Sequence, residues 1–130
     1  MPRFLSLSGA LLILQDQIRC YGGSYGVRDL SLLSSALAMP LASFEGQLLH
    51  ETVFDQAAAY AFHICQNHPF IDGNKRTALA CALVFLDLNG IELEDPRGEL
   101  YSLMMGIASG KRAKTDASDL SRKLSKKKRK

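Results

Sequence analysis

Gly73-Asn-Lys-Arg-Thr77-Ala-Leu-Ala-Cys81-Ala-Leu-Val-Phe85-Leu-Asp-Leu-Asn89-Gly90 is the stretch that decides the fold. From Thr77 to Leu86 it is apolar on nearly every side of a helix, and a helix with no polar face sits in the middle of a domain. On both sides of it helical periods dominate and alternating strand patterns are almost absent, so the expected fold is all-α, a compact bundle around this central helix. Upstream, Thr52 can cap a third helix whose Val53, Ala57, Tyr60, Ala61 and Ile64 repeat at three and four residues. Residues 41–51 show no period and hold Gly46, which suits a short hairpin or exposed flap. Asp29 caps a second helix with Leu30, Leu32, Leu33 and Leu37 as its stripe, ended by Met39-Pro40. A first helix runs from about Ser6 to Cys20 and stops at Gly22-Gly23. Downstream come an Ile91-Glu-Leu-Glu94 connector, a helix from about Arg97 to Ala108, a break at Ser109-Gly110, and a polar helix near Asp116 to Leu124.

A chain of 130 residues, 47% of them apolar, supports one buried core. The domain is expected over residues 1–124, and residues 125–130, too charged to bury, are expected to form a disordered basic tail. The formal charge of +3 misleads, because seven of sixteen basic residues lie in 121–130, where there is no acid. The rest holds nine basic against thirteen acidic residues, a net of −4. A groove for nucleic acid needs Lys and Arg spread over a folded face, so no specific nucleic acid is expected as partner. Cys20, Cys65 and Cys81 form no Cys-x-x-Cys pair and suit a reducing, cytoplasmic setting. Arg3 followed by Phe4 to Leu14 has the look of a secretory leader, but no small-residue cleavage site follows, so a core helix is the reading adopted. No apolar run reaches the roughly 18 residues of a membrane span, and no membrane partner is expected.

The chemistry gathers where the central helix begins. A first helical turn leaves N–H groups unpaired at the positive end of the dipole and attracts phosphates. Gly73 lets a ligand approach, while Lys75 and Arg76 add charge where the dipole disfavours it, which points to a polyphosphate site or to two solvated side chains. His68 lies five residues earlier, in reach as a proton acceptor or as a structural helix end. Asp72 has two readings, a cap for the helix and a carboxylate for Mg²⁺. Asn74 either binds phosphate or orders the loop.

His68-Pro-Phe-Ile-Asp-Gly-Asn-Lys-Arg76 resembles the signature of the Fic/Doc superfamily: His, any residue, Phe, any residue, Asp or Glu, Ala or Gly, Asn, Gly or Lys, Arg. Tyr21 to Asp29, Leu33 to Pro40, Ser43-Phe-Glu-Gly46 and Ala82 to Gly90 look like its death-on-curing (Doc) branch, and the likeness covers roughly residues 5–110. The resemblance implies a nucleotide-dependent transferase with ATP and Mg²⁺ as cofactors. By residue it implies His68 as base, Asp72 as Mg²⁺ ligand, Gly73, Asn74, Lys75 and Arg76 as phosphate cradle, Phe70 as anchor of the loop, and residues 43–48 as a flap on which a target peptide pairs.

Two departures from the AMP-transferring pattern stand out. Lys75 replaces a glycine, and Leu79 stands where a second Arg is expected. In the Doc branch these changes go with a protein kinase that presents the γ-phosphate, which makes a toxin phosphorylating a hydroxyl of a translation elongation factor the expected function. AMP transfer and a non-catalytic partner-binding domain are the alternatives. No self-inhibiting Ser/Thr-x-x-x-Glu-Gly or Glu-Asn motif is present, so restraint is expected from a cognate antitoxin. A metal-dependent hydrolase built on His63, His68 and Asp72 matches no known ligand spacing.

Overall fold

The computed structural model describes residues 2–127. Ser6 accepts from Gly9 N and starts α1 (Leu7–Tyr21), which ends at Gly22 with φ 85°. Asp29 accepts from Leu32 N and starts α2 (Leu30–Ala38). The helix ends at Met39-Pro40 as expected, and the chain tightens into a 3₁₀ turn, Met39–Leu41, where proline takes an early position that needs no N–H. A hairpin follows, β1 (Ser43–Phe44) against β2 (Gln47–Leu48), antiparallel, with all four residues exposed. Thr52 and Asp55 form a reciprocal capping box at the start of α3 (Val53–Asn67).

Next come α4 (Asn74–Leu88), β3 (Ile91–Leu93), α5 (Glu99–Ala108), α6 (Lys114–Leu124) and β4 (Ser125–Lys127). The Asp95 carboxylate accepts from Glu99 N and Leu100 N at 2.8 Å each and so begins α5. The fold is thus all-α apart from short antiparallel strands. The connector at 91–94 contains a strand, and the expected disorder gives way at residues 125–127, where β4 pairs with β3 in the register Ile91↔Lys127, Glu92↔Lys126 and Leu93↔Ser125. A lysine run reads as solvated because it cannot be buried, yet an edge strand needs only its backbone paired. The remainder of the tail call, 128–130, lies outside the described residues.

The core is built mainly where α3 lies on α4, with α6, α2 and α5 closing on α3 and α1 on α4. Tyr60, Phe85, Leu14, Leu33, Ile64 and Ile107 are fully enclosed. The Phe85 ring lies 5.6 Å from Phe4 and 5.2 Å from Tyr60, spacings at which aromatic pairs attract. The central helix buries Thr77, Ala78, Cys81, Ala82, Phe85 and Leu86, while Val84 and Leu88 reach solvent; α3 shares the middle with it. Among the described residues no helix is long and apolar enough to cross a membrane.

Candidate active site

Between α3 and α4 the chain makes a tight loop whose shape depends on buried hydrogen bonds. His68 ends α3 in the left-handed region, φ 51° and ψ 53°, with its N–H on Ile64 O. Pro69 O accepts from Arg28 N at 2.7 Å and from Asp29 N at 3.0 Å, and Ile71 N donates to Gly26 O at 3.0 Å. Phe70 is fully buried and forms an antiparallel bridge with Val27, so it anchors the loop as its position implied. Gly73, at φ 74°, then turns the chain into α4.

Asn74 orders this loop. Its Oδ1 accepts from Phe70 N at 2.9 Å and its Nδ2 donates to Phe70 O at 2.9 Å, which fixes which way the amide points. The same Nδ2 lies 3.1 Å from His68 Nδ1 and 3.4 Å from Nε2. The amide thus lies against the ring and orients the imidazole. These bonds give Asn74 the loop-ordering role.

Asp72 does not cap the helix. Its Oδ1 accepts from Gly73 N at 2.8 Å and its Oδ2 from Ser24 N at 3.3 Å, while no side chain caps α4 at its N-cap, Gly73. The first turn of the helix is therefore left for a ligand. A Cβ on Gly23, whose φ is 108°, would stand 2.5 Å from Asp72 Oδ2, so the carboxylate keeps its place only beside a glycine.

Arg76 is tied to the backbone at the end of α1. Its guanidinium donates to Tyr21 O at 3.2 Å and Gly22 O at 3.0 Å and lies 5.6 Å from the centre of the Tyr21 ring, so it holds the end of α1. Lys75 is exposed on the first turn. His68, Asp72, Gly73, Asn74, Lys75 and Arg76 all line one cleft of about 750 Å³. Cys65 lines it too; burial pushes its thiol pKa up, against the opposing charge of Lys75.

Not every residue considered for chemistry joins them. His63 is directed at Lys114 of α6, 3.0 Å away, and does not line the cleft. Conversely, Arg28 escaped sequence reasoning: its Nε donates to His68 O at 2.7 Å and its Nη2 to Asn67 O at 3.1 Å, holding the left-handed residue from behind. The only signal was its place in a glycine-spaced loop, and that the loop folds onto residues 68–72 is a long-range fact.

A family model for the Fic/DOC family matches residues 4–86. The chain is 33% identical over 115 residues to "Protein kinase doc" of Escherichia phage P1, covering 88% of this chain and 90% of that one. It is 44% identical over 73 residues to "Toxin Doc" of Mycolicibacterium smegmatis, covering 56% of each, so that match spans only about half of the mycobacterial protein. With residues 68–76 folded as a loop into an uncapped helix and the match running through them, this chain belongs to the Fic/DOC family.

Proposed function

We propose that this chain is the toxin of a toxin–antitoxin pair and transfers the γ-phosphate of ATP to a hydroxyl side chain of a target protein. One observation carries the reading: the His68 imidazole and the uncapped first turn of α4, with Lys75 on it, open into the same cleft. A polyphosphate laid on that turn meets backbone N–H groups and the positive end of the dipole. Asp72 is the residue that would hold Mg²⁺, since one carboxylate together with phosphate oxygens suffices for that ion, and its two backbone donors already fix its direction. Bound there, Mg²⁺ would neutralise phosphate charge. His68 takes the proton of the target hydroxyl, the hydroxyl oxygen forms a bond to the γ-phosphorus, the bond from that phosphorus to the bridging oxygen breaks, and ADP leaves.

The phosphotransfer reading is supported by Lys75. A side chain at this position fills the space where a glycine would let a diphosphate settle against the backbone, and offers a mobile charge in exchange. The name of the phage relative points the same way, and the name of the mycobacterial one supports a toxin with an antitoxin as partner. The exposed hairpin β1–β2 is the flap on which an extended target segment would pair, the target being a translation elongation factor on the resemblance to Doc.

The test incubates the protein with Mg²⁺, a cell extract and ATP labelled at the α or the γ position. Label from the γ position alone is expected on the target. Transfer of α-label would replace phosphotransfer by AMP transfer, and no transfer of either would leave a partner-binding domain.

A further inference from the structure

Outside the cleft, a second group of titratable side chains gathers where α3, α6 and the segment leaving the flap meet. Lys114 Nζ, in the first turn of α6, lies 3.0 Å from His50 Nε2 and 3.0 Å from His63 Nε2. An ammonium group can only donate, so both rings turn an Nε2 lone pair to it and carry their proton on Nδ1. His50 is 7% exposed and stands two residues beyond β2. Its carbonyl accepts from Nε2 of the buried Gln56 at 3.0 Å, and Leu49 N donates to Ala42 O at 3.0 Å across the base of the hairpin. That base is thereby tied to α3 through Gln56 and to α6 through Lys114. Beyond it the hairpin has nothing buried: Ser43 to Leu48 are exposed, and Glu45 and Gly46 turn at φ 51° and 80°. A two-stranded hairpin has little stability of its own, so its direction is set where it is tied.

We propose that Lys114 is a positioning residue for the target: through His50 it sets the angle at which the flap meets the cleft. The inference rests on the flap being the strand that receives the target. The other groups facing His50 are Asp55 and His63 of α3 and Glu51 of its own segment, and the two carboxylates accept without donating. With the ammonium gone, neither can fill its place, and the buried ring loses the donor that holds it.

Two measurements on the full chain test this. Hydrogen exchange at the Leu49 amide reads the flap base directly. The extract concentration giving half-maximal γ-label transfer, at saturating ATP, reads target docking. Lys114→Met should speed exchange at Leu49 and raise the half-saturating extract concentration about tenfold, with the maximal rate and the ATP half-saturation little changed. Lys114→Arg, which keeps a donor, should restore both. His63→Leu, which removes the other bond to the same ammonium, should leave both as in the wild type. If Lys114→Met changes neither readout, or His63→Leu changes them equally, Lys114 is only a structural contact and the proposal fails. Faster exchange with an unchanged half-saturation overturns the docking role of the flap while the anchor stands, and absence of any label transfer by the wild type overturns the proposed reaction, leaving exchange to decide the anchor.

Discussion

At residue 68 three unrelated segments meet: the end of α3 supplies the backbone, Arg28 holds the carbonyl, and Asn74 orients the ring. Removing the imidazole should cost roughly 10²- to 10⁴-fold in transfer rate, the usual worth of a general base. In cells, expression of wild-type protein without a partner should arrest growth and His68→Ala should relieve the arrest; equal toxicity of the two would rule out the catalytic role. Asn74 offers a finer check. Asn74→Asp keeps an acceptor for Phe70 N but loses the donor that serves Phe70 O and the ring, so label transfer should drop at least tenfold while ATP half-saturation moves less. That Phe70 would anchor the loop, and that His68 and Asp72 would lie together at the start of α4, was legible in the sequence from their spacing. Arg28 was not, since nothing local distinguishes an arginine bonded to a carbonyl forty residues away from one in solvent.

Element boundaries followed the caps. Ser6, Asp29 and Thr52 each accept from the backbone N–H three residues on, and the three helices they start were readable for that reason. Asp55 does more than the capping box required: it also accepts from Ser118 Oγ at 2.5 Å and so links α3 to α6. Burial alone would raise its pKa, and the hydrogen bonds from Ser118 and Thr52 outweigh it and hold the carboxyl below its ordinary value. Asp55→Ala should therefore cost about 1–2 kcal/mol, somewhat above an ordinary cap, read as a lower urea midpoint with unchanged slope. The strand at Ser125–Lys127 was hidden by composition, because charge predicts exposure and says nothing about backbone pairing. Deleting residues 125–130 should lower Tm by a few degrees, as the loss of a short edge strand would, and leave label transfer at 25 °C unchanged. Loss of transfer at that temperature would place the tail in the site.

For the molecule as a whole, acid stability is set by the cluster around Lys114. Burial first, then the charge of Lys114 and His50, lowers the His63 pKa to about 4, and burial and Lys114 lower that of His50, against Met39 and Asp55. Unfolded, each imidazole titrates near its ordinary value of 6.5. Between there and about 4 the unfolded chain binds more protons than the folded one, so stability falls as pH drops through that window. The carboxyl of Asp55, held low, adds its own loss only below its ordinary 3.8. Urea midpoints measured from pH 7 to pH 3 should decline in two stages, and His63→Gln should flatten the upper one alone. A flat profile above pH 4 would show that the two rings are protonated in the fold. The all-α architecture was readable from periodicity because α3 and α4 bury contiguous stripes, whereas the contact between the 21–29 loop and the 68–72 loop, which builds the cleft, is between two segments without period.

The left-handed backbone at His68 has a consequence for how activity can be lost. At the end of a helix this conformation favours glycine, which adopts it without the cost of roughly 1 kcal/mol that a side chain brings. His68→Gly should thus raise Tm by a few degrees while abolishing label transfer. The inactive protein is then the sturdier one, and when a population is selected for survival without a partner, His68→Gly should appear as well-folded, abundant protein rather than as aggregate.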